Sequence, residues 1–478
     1  MGQVRGAATG TAPAIAPRAD RLEIWRPVVA AMGKTGAASM LSGCLSALAT
    51  KIIAVMAGPA AVALLATLQQ TRQMALVAAT GNGQTALVQG ASAFHGDQRR
   101  EYLRTVAWFF GGATVAVVLA LVAGPRLVQA VAGLPPGTES LIEWLAIPVA
   151  LSAVFVFLSA MLNAQGGIGR LGVLQVAASL AMALGAWPAA RRLLEGRAQG
   201  LVYLLSFSAA VSVVLAVGLL VRDVDKLKPW FWGPGRLWAW RAARHFVSIS
   251  GAMLISGLAA TAVLLWVRRR ITASQGLAVT GQFDAAWNIS MNHVTVVLSS
   301  LQTYFLPALA RTHGEGRSNG LERNARISSV LTVAALAATA VIAALALAKP
   351  WALVLFYSSA FRPAAAYLRW TLVGDYLKVA GWILSIPILA AADMKAFLTA
   401  DLAAYGVFLA ASAGLTRWMS AAESAGAAFV LMHAAHLAIC ASYMHGRYGY
   451  RPSRLAAVVW VGGLVIVGVV SLLTWRLT

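Results

Sequence analysis

Long apolar runs constrain this sequence more than any motif in it does. Runs of roughly 20 residues, the length that crosses a ~30 Å hydrocarbon layer as a helix, read at 31–56, 59–92, 105–132, 142–163, 171–189, 200–221 and 245–267. More follow at 281–308, 327–348, 364–391, 397–415, 422–444 and 455–475. The loops between them are short, and the longest, near 222–244, is too small to hold a domain. Inside a bilayer the backbone must satisfy its own hydrogen bonds, which leaves helices or closed barrels, and runs this long select helices. The expected fold is therefore an all-α polytopic membrane protein with about 12–13 transmembrane helices. Composition agrees: 59% of residues are hydrophobic and 11% charged, against about a quarter charged in a soluble domain.

The net charge is +22. A balance this basic often signals nucleic acid, but here the basic residues are scattered between apolar runs and form no continuous phosphate-binding face. Most of the charge instead reports orientation, because short cytosolic loops are enriched in Lys and Arg. An N-terminus inside puts 22 of the 38 basic residues in the cytosol. Among them are Arg99, Arg100, Arg104, Arg222, Arg241, Arg311, Arg317, Arg323, Arg447 and Arg454. Two segments on the other side break the rule, Arg191, Arg192 and Arg197 after the fifth run and Arg268, Arg269 and Arg270 after the seventh. The first 28 residues lack an apolar core and read as a disordered cytosolic tail with a short amphipathic end (Arg21, Ile24, Trp25, Arg26). Segment 226–241 mixes four Trp with basic residues and reads as an interfacial linker on the inner leaflet.

That linker sits near the midpoint, where two six-helix halves would join. GAASMLSGCLSALATKIIA (36–54) and GAMLISGLAATAVLLWVRR (251–269) align without gaps, small residue on small residue, as in a parallel internal repeat around a central cleft. The expected organisation is a tail (1–28), a first lobe (29–222), a linker (223–244), a second lobe (245–445) and an added terminal helix (446–478).

Charges inside spans are expensive and by default face a water-filled or protein-lined interior. They are Lys51, Arg72, Asp284, Arg369, Asp375, Lys378 and Asp401, joined by Arg268, Arg269 and Arg270 at the outer end of the seventh run. The bias is cationic, and Arg pairs bidentately with phosphate or carboxylate. A local reading competes: Asp375 and Lys378 are three apart on one helix and can pair with each other. Arg268 to Arg270 can equally serve a ligand in an outer vestibule.

Other signals fail. GIGRLG (167–172) follows a membrane helix rather than a strand and reads as a tight turn, not a dinucleotide fingerprint. GNGQT (81–85) lacks the Lys-Ser/Thr of a phosphate loop. His433 and His436 share a helix face without a third ligand and read as satisfied interior histidines, while His293 is a candidate proton-linked group. Cys44 and Cys440 lie in separate apolar runs, which excludes a disulfide scaffold or thiolate metal cluster. No nucleophile elbow, HExxH or other catalytic signature is present, so neither an enzyme nor a cofactor or metal site is expected.

At 51–94 the sequence KIIAVMAGPAAVALLATLQQTRQMALVAATGNGQTALVQGASAF, with Lys51, Gly58-Pro59, Leu68-Gln69-Gln70 and Gly81-Asn82-Gly83, resembles the start of the Wzx-type oligosaccharide-lipid flippases. These belong to the multidrug/oligosaccharidyl-lipid/polysaccharide exporter superfamily. Stretches 162–175, 281–311 and 361–397 support the likeness, which covers about 30–450. The resemblance implies two six-helix lobes around a central cavity opened alternately to each side of the bacterial inner membrane, for surface polysaccharide (O-antigen or exopolysaccharide) synthesis. Its cargo would be an oligosaccharide on undecaprenyl diphosphate, bound among membrane lipids, with a polysaccharide polymerase as a possible neighbour and no nucleic acid involved. On that basis Lys51, Arg72, Arg268, Arg269, Arg270 and Arg369 are the expected headgroup contacts. Asp284, Asp375, Lys378 and Asp401 are expected as coupling or structural charges, the coupling ion (H⁺ or Na⁺) staying open. A thirteenth helix departs from a twelve-helix family core. The alternatives are a multidrug-type ion-coupled exporter of the same superfamily and a membrane polysaccharide polymerase or ligase.

Overall fold

A computed structural model describes residues 19–222, 228, 233, 236–291, 320–391 and 393–474, with side chains from residue 37 onward. Its described elements are helical: α1 (Ala19–Thr80), α2 (Gln84–Ala93), α3 (Gly96–Ala123), α4 (Pro125–Ala132), α5 (Glu139–Ala164), α6 (Ile168–Leu194) and α7 (Gln199–Val221). They continue with α8 (Trp240–Gln275), α9 (277–291), α10 (Gly320–Phe356), a 3₁₀ turn (Ser359–Ala364), α11 (Ala365–Ala390), α12 (Met394–Gly414), α13 (Ala421–Tyr448) and α14 (Arg454–Leu473). Several expectations lie outside the described residues. These are the tail to residue 18, the side chains of its amphipathic end, most of the Trp-rich linker, His293, Arg311, Arg317 and the second half of the 281–308 run. Helix α1 begins at Ala19, inside the stretch expected as a tail.

Among the described residues, eleven segments are long and apolar enough to cross a membrane. The first of them, Ala37–Ala93, crosses twice. Ala38 lies against Gly172 and Ser42 hydrogen-bonds Ser179 (2.6 Å), so 37–57 runs parallel to α6. Gly257 lies against Val77 and Asn82, whereas Arg268 reaches Ala66 and Gln70, so 59–80 runs antiparallel to α8. Between the two the chain folds back at Gly58, whose φ of 77° and ψ of −173° lie outside any helix. The two runs expected at 31–56 and 59–92 are thus separate passes. The run expected at 105–132 divides instead: α3 ends at Ala123, Gly124 breaks it, and Pro125 starts the short α4 with its fixed φ.

The same directions place the described basic residues Arg99, Arg100, Arg104, Arg323 and Arg447 on one face, called proximal here. Arg104 donates to the Gly233 carbonyl (2.9 Å) and Arg323 to that of Tyr448 (2.7 Å), tying loops of the two halves at that level. On the distal rim Arg191 stacks on Trp187 (3.7 Å) and Arg192 on Tyr203 (4.9 Å). These arginines, which broke the orientation rule, snorkel over aromatic faces as interfacial residues do. Large apolar side chains such as Leu119, Leu184, Val214, Leu336 and Val458 are exposed around the bundle. That girdle is what a lipid solvent requires and an aqueous one forbids.

Helices α1 to α7 form one lobe and α9 to α13 the core of a second, with α14 packed on α10 and α11. Helix α8 runs along the seam. Its proximal end docks on the first lobe through Phe246, 5.2 Å from Phe109 and 6.0 Å from Phe110. Further along, Ser256 meets the second lobe at Asp401. The internal repeat also appears in the backbone. Helix α8 ends at Gly276 with φ 86° and ψ 171°, nearly the dihedrals of Gly58, and each glycine turns the lead helix of its half into the second.

Candidate functional site

The intramembrane charges fall into three groups. The first is a closed ion pair at the seam. Arg268 on α8 donates through Nε to Asp284 Oδ1 on α9 (2.6 Å), and its Nη1 faces Gln70 Oε1 (3.4 Å) on 59–80. Arg268 is 4% exposed and Asp284 fully buried. Three helices are thereby tied together near the distal side, and the guanidinium is already neutralised. Arg268, Arg269 and Arg270 point to three different surroundings, because consecutive residues on a helix point about 100° apart. Arg269 packs against Gly133, and Arg270 lies over Trp266 (4.9 Å) beside Thr416 (3.4 Å).

The second group gathers the remaining cations, several of which have no carboxylate in contact among the described residues. Lys51 donates to the Leu355 carbonyl (2.5 Å), bridging the lead helix of the first lobe to α10 of the second. Arg72, a little past the middle of the returning pass, is partly buried, and its Nε has no hydrogen-bond acceptor. Lys378 lies 3.2 Å from Met291 Sδ and within electrostatic reach of Asp375, which accepts from Ser290 (2.6 Å). Both members of the expected local pair thus also contact α9. Lys349 was missed from sequence because the ninth run was closed one residue before it. It is 1% exposed, its Nζ has no acceptor, and Arg369 lies within electrostatic reach. Arg369 itself pairs with Glu423 (3.3 Å) and lies 5.2 Å over Trp370. No sequence pattern marks Lys349 except a lysine within an Ala/Leu stretch ahead of Pro350-Trp351.

The third group sits in the second lobe. Asp401 on α12 accepts from Ser256 of α8 (2.5 Å) and lies 3.5 Å from His436 Nε2 on α13. His436 is in turn 3.7 Å from Cys440 Sγ. His433, read from sequence as a satisfied histidine, has neither ring nitrogen hydrogen-bonded and meets Phe429 edge-on (4.4 Å). A cavity of about 340 Å³ opens on the proximal side between α11, α12 and α13. Its lining includes Asp393, Lys395, Thr399, Cys440 and Tyr443. At its mouth Asp393 caps α12 through the Ala396 N–H (3.1 Å). The Tyr443 hydroxyl, donating to the same carboxylate, holds it below the usual carboxylate range. No grouping of three His, Cys, Asp or Glu fit for a metal occurs among the described residues.

No family model and no curated protein matches the chain. Solved structures do. A multidrug resistance MATE family transporter of the MOP superfamily, in its inward-facing conformation, superposes with a TM-score of 0.65 at 14% identity, covering 90% of this chain and 95% of that one. A MATE transporter in the outward-facing conformation gives 0.61 at 12% identity over 92% and 96%. A MOP superfamily transporter from Pyrococcus furiosus, described by the reverse polarity of its binding pocket, gives 0.60 at 14% identity over 92% and 96%. The chain shares the two-lobed MATE-type fold.

Proposed function

We propose that this protein is a membrane exporter working by alternating access, and that its cargo is an anionic amphiphile, an oligosaccharide on undecaprenyl diphosphate, carried from the inner to the outer leaflet of the bacterial cytoplasmic membrane. The observation that carries the reading is the charge census of the spans. Asp284 and Asp401 are engaged by Arg268 and His436, while Arg72, Lys51 and Lys349 have no carboxylate in contact among the described residues. A cation held in a membrane interior without a counter-ion calls for an anion from outside the protein, and a diphosphate is the strongest such acceptor a lipid-linked sugar offers. Two lobes joined along a seam supply the two access states. The superfamily transporter with reversed pocket polarity supports the idea that this fold serves cargoes of different charge. In this reading the proximal face is cytosolic, and a polymerase at the distal face would receive the product.

A multidrug exporter of organic cations is the competing reading. It needs an intramembrane carboxylate open to the cargo; Asp284 and Asp401 are engaged by Arg268 and His436, and Asp375 is fully buried against Ser290 within electrostatic reach of Lys378. Reconstituted protein given a fluorescent undecaprenyl-diphosphate oligosaccharide separates the two. Arg72→Glu is expected to lower translocation at least tenfold while the protein still folds and inserts. Full translocation by that variant, or ethidium export by the wild type without lipid translocation, would overturn the assignment.

A further inference from the structure

We propose that Asp401 and His436 form a proton-binding site inside the second lobe, reached from the proximal face through the cavity that Cys440 lines. Its use in driving transport rests on the exporter reading; the site itself does not. Three observations converge. Asp401 and His436 lie 3.5 Å apart on neighbouring helices, with side chains only 15% and 13% exposed. A carboxylate and an imidazole at that separation share one proton: bound, it makes an imidazolium–carboxylate pair; released, it leaves a neutral imidazole beside the carboxylate. One oxygen of Asp401 is fixed by Ser256, so the other faces His436.

The second observation is a route. His436 Nε2 lies 3.7 Å from Cys440 Sγ, and Cys440 lines the cavity of about 340 Å³ whose mouth carries Asp393, Lys395 and Tyr443. That volume holds several waters, enough to bring a proton to the thiol edge. The third is the setting. From α12 Tyr405 neighbours Asp401 and Ser256. From α13 come His433 and Cys440, and from α11 Lys378, which with His436 lies within reach of His433. Asp375 accepts from Ser290 and lies within electrostatic reach of Lys378. Helix α8 contributes only the neutral Ser256 at this level. Among the described residues Asp401 is the carboxylate paired with His436, and Lys378 and His433 lie within electrostatic reach of the site. Because Ser256 belongs to the seam helix, gain or loss of the proton acts on the element that joins the lobes.

The test follows the seven histidines by imidazole ¹⁵N resonances in full-length protein in phosphatidylethanolamine/phosphatidylglycerol nanodiscs, titrated from about pH 5 to 9. His436→Gln assigns the signal. The expected result is a His436 titration within that window whose midpoint moves by at least one pH unit in Asp401→Asn, with His245 unchanged. Asp401→Glu, which keeps the charge, is expected to restore a titration near the wild-type one. A His436 signal insensitive to pH, or a midpoint unmoved by Asp401→Asn, would overturn the proposal. So would a midpoint displaced by sodium at constant pH, which would make Asp401 a metal-cation ligand. Each of these outcomes leaves lipid translocation to be judged by its own assay.

Discussion

Two arginines of the same spans show how differently one residue type is used. Arg268 is enclosed by Asp284, Gln70 and the Ala66 carbonyl, whereas Arg72 has no acid in contact. Both were legible from sequence as intramembrane charges. Their roles were not, because a buried charge is explained by its counter-ion, and counter-ions arrive from other helices. Asp284 lies sixteen residues from Arg268, across the Gly276 turn, and the repeat only hinted at that turn. Asp401 and His436 likewise stand 35 positions apart, with no pattern in sequence to join them. Removing one member of a buried pair leaves the other uncompensated and costs about 3–5 kcal/mol, while removing both costs much less. Arg268→Ala and Asp284→Ala are therefore each expected to lower the melting temperature in detergent by several degrees, with the double variant more stable than either single. Additive losses in the double variant would show that the pair contributes through something other than mutual neutralisation.

At the scale of elements, existence and order were readable because each pass must be about 20 apolar residues long, and that demand overrides local propensity. Turns were less readable. Gly58 stood out through the Pro59 that follows it, but Gly276 is followed by Leu277 and carries no such mark, and only the structure shows that both hold φ near +80° with ψ near 180°. Side chains other than hydrogen rarely occupy that region, at a cost of roughly 1–3 kcal/mol. A Cβ at Gly276 would meet nothing within 4 Å, so Gly276→Ala isolates the backbone cost. Its expected effect is a loss of stability of that size, read as a lower melting temperature. Gly251, within α8 and equally open, is expected to respond oppositely, gaining up to about 1 kcal/mol on replacement by Ala. Equal responses at the two positions would mean that the turn relaxes without strain.

For the whole molecule, the described basic residues Arg99, Arg100, Arg104, Arg323 and Arg447 gather at the proximal face, and the rule-breaking Arg191 and Arg192 rest on aromatic rings at the distal rim. What the sequence could not convey is how the lobes meet, since that depends on backbone approach. At the distal side the second helices of the two lobes touch where Gly281 of α9 faces Pro59: a Cβ on Gly281 would sit 1.9 Å from the Pro59 carbonyl oxygen and 2.6 Å from its carbon. No rotamer relieves a collision with backbone, so Gly281→Ala must separate the helices there. The Lys51–Leu355 and Arg268–Gln70 contacts lie across the same seam. Alternating access requires this seam to open and reseal, and overpacking it costs about 1–3 kcal/mol of the sealed state. In a background with Cys44 and Cys440 replaced by Ser, a cysteine at Ala66, 6% exposed beside Arg268, reports the seam from the distal side. Gly281→Ala is expected to raise its labelling by a membrane-impermeant maleimide several-fold and to slow translocation. Labelling at the original rate would show that α9 accepts the methyl group without parting the lobes, and the distal contacts would then be static packing rather than a gate.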